Sequence, residues 1–245
     1  MTNALTTAIQ SMQNDLQYMD IISQNMVNIA TPGYKRAIPV AHTFGEAMRV
    51  AGQADTGATT LVGAMPTLDS VLDISTGLIK QTGRPWDIAI TGDGYFELAT
   101  PDGPAYTRAG NFRLDSAGRL VSESGLAVQG VGGDIVLNGA NAIIDHTGRI
   151  TQEEETAGQL KVVRFADSKA MIKTAEGLLR PANAASAVTE IAPEVQVGYL
   201  ENSNVATMRE MVSMMETTRH FESAQKLFQG YDEMLGTAIQ KLGEF

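Results

Sequence analysis

Apolar residues recur at helical spacing near both ends of the chain, and the pattern between them is of a different kind. Towards the C-terminus, Ser203 to Leu242 holds no proline and only two glycines, Gly230 and Gly236. Steps of seven from Met214 land on Phe221, Phe228, Leu235 and Leu242, and the positions four before these are Thr217, Ala224, Tyr231 and Ala238. An a/d repeat sustained over about four heptads predicts a helix of the coiled-coil kind. At 1.5 Å per residue it would reach roughly 60 Å, which outruns a small domain and requires a partner for its seam. Ser203 and Asn204 are available as N-caps, and Thr207 followed by Glu210 fits a capping box.

The N-terminal stretch supplies the partner. From Ala4 to Ile29, the residues Leu5, Ile9, Met12, Leu16, Met19, Ile22, Met26 and Ile29 fall three or four apart, along one helix face. Thr6, Gln10, Gln13, Asn14, Gln17 and Gln24 lie between them, polar and uncharged. No Lys or Arg precedes Lys35, and the apolar residues are interrupted. The expectation is neither a secretory signal nor a membrane span. The two stripes are expected to pair with each other.

The first helix is expected to stop at Thr31-Pro32-Gly33, because Pro32 disfavours helix at Thr31 and Gly33 permits a sharp change of direction. Residues 37–67 are rich in glycine and small residues. They read as extended or loop-like, with one short helical turn over Phe44 to Val50. From about Leu68 the pattern turns to short apolar runs: Ile88 to Ile90, Tyr95 to Leu98, Phe112 to Leu114, Leu120-Val121, Leu126 to Val128, Ile135 to Leu137, Ile143-Ile144 and Leu160 to Phe165. Turn dipeptides such as Asp93-Gly94, Asp102-Gly103 and Asn138-Gly139 separate them. Strands this close together predict an all-β domain with tight connections, not βαβ units. Asp115 to Leu120 and Asp145 to Ile150 echo each other, as one turn-then-strand solution used twice. The β region is expected to end near Val195 to Leu200. The fold class is therefore α+β: paired, coiled-coil-like terminal helices carrying an inserted all-β domain. The boundaries are an N-terminal helix at 1–32, an extended linker at 33–67, the β domain at 68–200 and the C-terminal helix at 201–245.

Composition narrows the function. The 245 residues carry a net charge of −10, which argues against nucleic-acid binding and against a polybasic membrane surface. The chain has no cysteine, which removes thiol catalysis, thiolate metal sites and disulfides. His42, His146 and His220 are far apart and out of metal-ligand spacing. Gly92-Asp93-Gly94 and Gly130-Val131-Gly132-Gly133 lack the following helix of a phosphate loop and read as β-turns. Glu153-Glu154-Glu155 reads as a solvated charge run. Trp86 reads as core. No catalytic, cofactor or metal site is expected.

Three stretches are specific. NMVNIATPGYKR, Asn25 to Arg36, resembles the N-terminal motif of the flagellar basal-body rod and hook proteins, matching at Asn25, Asn28, Thr31, Pro32, Gly33, Tyr34 and Lys35. GYLENSNVATMREMV, Gly198 to Val212, resembles the opening of that family's C-terminal helix. Asp87 to Val121 is similar to the β domain shared by rod and hook subunits. The likeness is nearest the proximal-rod F type, with the distal-rod G type second.

The resemblance implies a structural subunit that polymerises with other rod subunits and neighbouring basal-body components into a torque-transmitting shaft. It implies a place in the basal body within the periplasmic space. It also implies export by the flagellar type III apparatus, with no nucleic acid and no membrane insertion. Leu5, Met12, Leu16, Met19, Met26, Met214, Phe221, Phe228, Tyr231, Leu235 and Leu242 would form the assembly seam, and Asn25 to Lys35 the joint between layers. The joint is expected to be dispensable for the β core. A β-domain binding module with a coiled-coil oligomeriser is the competing class. It would want an aromatic-lined groove, which 6% aromatics makes scarce. An enzyme would need a pocket with converging titratable groups.

Overall fold

The computed structural model describes residues 2–40, 69–137, 142–152, 155–165, 171–174, 177–181 and 188–243. Most of the expected 37–67 linker, including the Phe44 to Val50 turn, lies outside them. The described chain is mixed helix and strand and divides into two compact units. One is built from the two terminal helices and the strand Ala37–Val40; the other holds residues 28–36 and 72–205.

In the first unit, α1 spans Thr2–Val27 and α2 spans Thr207–Gly243. The two helices touch. Asp15 Oδ2 lies 2.7 Å from His220 Nδ1, and Thr218 Oγ1 donates to Met19 Sδ at 3.9 Å. Asn25 Nδ2 donates to Glu210 at 3.3 Å. Partner numbers fall along α2 as they rise along α1, so the helices run antiparallel. The face of α1 turned inward buries Ile22 and Asn25, with Met12, Met19 and Met26 half-buried. Leu16 and Ile9 are exposed; the apolar stripe read from the sequence is wider than the face one partner helix covers.

On α2, Thr217 and Ala224 are buried and Met214, Phe221 and Tyr231 are half-buried, while Phe228 sits at the exposed margin. Thr217 is tolerated there because its hydroxyl donates to Ser213 O at 2.8 Å, within its own helix. Leu5, Leu235 and Leu242 lie on the helices but outside the residues whose side chains are described.

The second unit is antiparallel throughout its paired strands. Its largest sheet runs Met171–Lys173, Leu179–Pro181, Gly103–Thr107, Tyr95–Thr100, Ala127–Gly130, Leu120–Val121, Arg113–Leu114. Val162–Phe165 also pairs with Tyr95–Phe96 and carries Val188–Ile191 on its other side. A three-stranded sheet holds Ala142–Ile144, Arg149–Gln152 and Glu155–Gln159. Ile88–Ile90 pairs with Val195–Val197, and Ile79–Gln81 with Tyr199–Glu201. Phe96, Leu98, Leu120, Ile150 and Leu160 fill the core, with Phe96 and Phe112 edge to face at 5.0 Å. Trp86 packs against this core, half-buried.

Several strands carry no apolar run and were not legible. Gly103–Thr107, Glu155–Gln159 and Leu179–Pro181 are short and rich in Gly, Pro or polar residues. Their place is set by the strands they pair with rather than by their own propensity. Glu155, the last residue of the expected charge run, opens a strand and is exposed.

Among the described residues, the turn seen twice in the sequence occurs four times. At Asp115, Ser122, Asp145 and Thr174, the carbonyl of the first residue accepts from a glycine three residues on. The same residue's N–H donates to the carbonyl beyond that glycine. Each is a turn closed by a bulge glycine in the left-handed region, here Gly118, Gly125, Gly148 and Gly177 at φ 78, 85, 69 and 74°. Asp115 and Asp145 also accept backbone N–H bonds from within their own turns. Hydrogen bonding to the charged form holds both carboxyls below the usual range: led by the Arg119 N–H for Asp115 and by the Thr147 hydroxyl for Asp145.

Two of these glycines differ in surroundings. A Cβ on Gly118 would stand 2.2 Å from Leu137 O, whereas one on Gly125 would meet nothing within 4 Å. Gly125→Ala should therefore cost only backbone strain, about 1–2 kcal/mol. Gly118→Ala should cost distinctly more, read as a larger drop in urea midpoint by the fluorescence of the single tryptophan, Trp86.

Candidate functional site

The segment after α1 leaves the helix in a tight double turn. Thr31 N–H donates to Asn28 O and Tyr34 N–H to Thr31 O, and the Thr31 hydroxyl donates to Asn28 Oδ1 at 3.2 Å. Helix ends at Val27, so Asn28 to Lys35 form a separate connector. Gly33 adopts φ 68° and donates to Glu201 O at 2.7 Å. A Cβ there would stand 2.3 Å from Ala109 N and from Arg108 C. The joint is thus packed backbone to backbone against the β unit. The expectation that the β core is indifferent to it fails for that reason: Gly33→Ala carries both φ strain and a collision.

Lys35, Glu201 and Arg108 meet inside this unit, each nearly excluded from solvent. Lys35 Nζ lies 2.7 Å from Glu201 Oε1, and Arg108 Nε lies 3.0 Å from Glu201 Oε2. Gly77 N–H donates to Glu201 Oε1 at 3.0 Å. The cluster holds two cations and one carboxylate, and carbonyl dipoles take up the excess. Lys35 donates to Ser75 O at 2.8 Å, and the Arg108 guanidinium donates to Gly94 O at 2.7 Å and Gly92 O at 2.8 Å. Burial lowers the Lys35 pKa below its ordinary value, with Glu201 opposing the shift. A buried cluster is weak evidence of net stabilisation, but removing one partner strands the others.

Asn204 fastens the same two segments from the other side. Its Oδ1 accepts from Arg36 N–H at 2.7 Å, its Nδ2 donates to Asp73 O at 2.8 Å, and its N–H donates to Tyr34 O at 3.3 Å. Asn204 is therefore a cross-link and not the N-cap expected of it. Ser203 Oγ accepts from Val205 N–H ahead of the helix. The first helical bond runs from Glu210 N–H to Ala206 O, which puts Ala206 at the cap and Thr207 inside the first turn. Within the helical unit, Glu210 accepts from Asn25. Asn25 also clips Ala37 through both backbone groups, each at 2.9 Å.

The two motifs that stood out in the sequence therefore interlock, residue against residue. Asn25 reaches Glu210; Gly33 and Lys35 reach Glu201; Tyr34 and Arg36 reach Asn204. Sequence reading missed Glu201 and Arg108. The available signal was an acidic residue inside the strand-like run Tyr199–Glu201, matched by the first cation of the chain, Lys35. Among the described residues no group of three His, Asp or Glu side chains could hold a metal, and no helix is long and apolar enough to cross a membrane. These contacts tie chain segments together.

Lys173 completes the surroundings of the joint, with Nζ 3.6 Å above the Tyr34 ring. Burial lowers its pKa to about 8 from 10.5. Between those values the folded chain holds the amine neutral while the unfolded chain holds it charged, so unfolding takes up a proton. Stability from this group therefore rises with pH across about 8 to 10.5. The urea midpoint of Lys173→Met should show a smaller rise than the native chain over that window, with the two curves parallel below pH 7.

Comparison with known proteins agrees with this layout. Residues 89–154 match the family model "Flagellar hook protein FlgE/F/G D1 domain" and residues 196–241 match "Flagellar basal body rod FlgEFG protein C-terminal". The flagellar basal-body rod protein FlgG of Bacillus subtilis is 33% identical over 265 residues, covering 96% of this chain and 97% of that protein. FlgF of Rhizobium meliloti is 30% identical, with 99% of each chain covered, and FlgF of Caulobacter vibrioides is 27% identical, covering 100% of this chain and 99% of that one. Relatives of both subtype names thus match over nearly the whole length. The chain belongs to the flagellar basal-body rod protein family and is a structural subunit of the basal-body rod.

Proposed function

We propose that the chain enters the rod by its two terminal helices and transmits torque through many weak contacts, with no chemistry of its own. In this reading α1 and α2 pair as a coiled coil within a subunit. Leu5, Met12, Met19, Met26, Met214, Phe221, Tyr231, Leu235 and Leu242 lie in or near that seam. Leu16 and Phe228, exposed in the single chain, meet neighbouring subunits or other basal-body components. The reading is carried by one observation: apolar side chains remain on the helix faces after the helices have packed on each other. Ile9, Leu16 and Val27 on α1, and Met208, Met211, Val212, Met215 and Leu227 on α2, are all exposed. A stripe of this kind is costly in water and suits further packing. Contacts of head-to-tail type extend a helical polymer wherever the rotation between subunits does not close a ring. The proposal covers both the proximal (F) and distal (G) positions, and it includes delivery by the type III export apparatus.

Asn25 to Lys35 are proposed to set how the chain passes from helix to β structure. Proline at 32 and a left-handed glycine at 33 turn the backbone, and the contacts to Glu201 and Asn204 hold it turned.

Ala224→Asp places a carboxylate at a buried position between the helices, at a cost of several kcal/mol. Purified chain should keep the Trp86 unfolding transition of the β unit. Isolated basal bodies should contain little or none of the variant. Normal incorporation would show that helix pairing is not the route into the rod.

A further inference from the structure

The chain contains no cysteine and twelve methionines, so its thioethers carry the sulfur chemistry. They are not placed alike. Met171 is buried, and Met12, Met19, Met26 and Met214 are half-buried. Met208, Met211 and Met215 are 77%, 45% and 55% exposed. These three recur at i, i+3 and i+7 on the first turns of α2, one above another on a single face. Val212, 46% exposed, completes the patch. Glu210, Thr217 and Ala224, the buried positions among the described side chains of the helix, lie on the opposite face. Met214 is Met215's neighbour in sequence but lies about 100° round the helix, towards the buried positions, and is half-buried.

We propose that Met208, Met211 and Met215 form an oxidation site, and that sulfoxidation there bars a free subunit from the rod. The oxidant is a peroxide. A thioether sulfur attacks one peroxide oxygen, the O–O bond breaks and water leaves, so that sulfide and hydrogen peroxide give sulfoxide and water. Sulfur is oxidised by two electrons and the peroxide is reduced by two. Each event replaces a flexible apolar side-chain end with a strongly polar, hydrogen-bond-accepting one. Three on one face would turn an apolar patch into a polar one while the buried face and helix remain. Methionine sulfoxide reductases reverse the change, one enzyme for each sulfoxide epimer. The consequence for assembly rests on the reading that the outer helix faces are assembly surfaces.

Two measurements separate the site from its consequence. Purified full-length chain is treated with limiting hydrogen peroxide and mapped by peptide mass. Met208 and Met215 should oxidise several-fold faster than Met214, Met19 and Met171. Equal rates for Met214 and Met215 would overturn the site. In cells, the triple variant Met208→Gln, Met211→Gln, Met215→Gln mimics the oxidised polar face, and the triple Leu variant keeps it apolar and unoxidisable. Helicity of both, by circular dichroism, should equal that of the native chain, since the positions are exposed. Basal bodies should contain the Leu variant at native level, also under peroxide, and lack the Gln variant. Native incorporation of the Gln variant would overturn the coupling to assembly. If the Ala224→Asp chain also enters rods normally, the helix-mediated route itself fails, and the two failures are thereby told apart.

Discussion

One buried carboxylate holds the joint of this molecule. Glu201 sits between Lys35 and Arg108, and each of the three comes from a different part of the chain: the connector after α1, the end of a central strand, and the segment before α2. Charges this far from water are tolerable only when paired and hydrogen-bonded. Three backbone carbonyls and the Gly77 N–H supply further bonds, while Glu201 Oε2 meets Arg108 as an ion pair without a hydrogen bond. The arrangement demands its neighbours. Gly33 must lie flat against Arg108 and Ala109, and Asn204 must reach across to Arg36 and Asp73. The place where the chain enters the β unit and the place where it leaves are thereby fixed side by side.

Adjacent entry and exit allow the two ends of one chain to become an antiparallel helix pair. Within that pair, Asn25 and Glu210 place a polar contact among apolar neighbours. Such a contact weakens the seam in energy but disfavours shifted registers, which would bury the same groups without partners. The division of work is then plain. Register and joint are specified by buried polar groups, whereas helix surfaces contribute apolar area that one chain alone leaves exposed.

The sequence made some of this legible and hid the rest for identifiable reasons. Heptads from Met214 and the stripe from Leu5 located both helices, because a 3.6-residue period survives without tertiary context. Gly118 and Gly148 revealed a turn because its chemistry is local; the Ser122 and Thr174 versions passed unnoticed since serine and threonine replace aspartate. Leu16 could not be told from Ile22, as periodicity gives an apolar stripe but not how much of it one partner covers. Strands such as Gly103–Thr107 were hidden because pairing, not composition, makes them strands. Residues Asn25 to Lys35 stood out by pattern, yet their partners did not: Lys35 and Glu201 are far apart in sequence, and nothing local links them.

The account stands or falls on whether Lys35 and Glu201 act as one unit. A double-mutant cycle on the full chain, Lys35→Met and Glu201→Gln singly and together, followed in urea by Trp86 fluorescence, measures this directly. Each single change leaves buried polar groups unmatched, so the double should recover much of the loss. The predicted coupling is about 2 kcal/mol. Strictly additive effects of the two changes would contradict the claim that this buried pair holds the joint together.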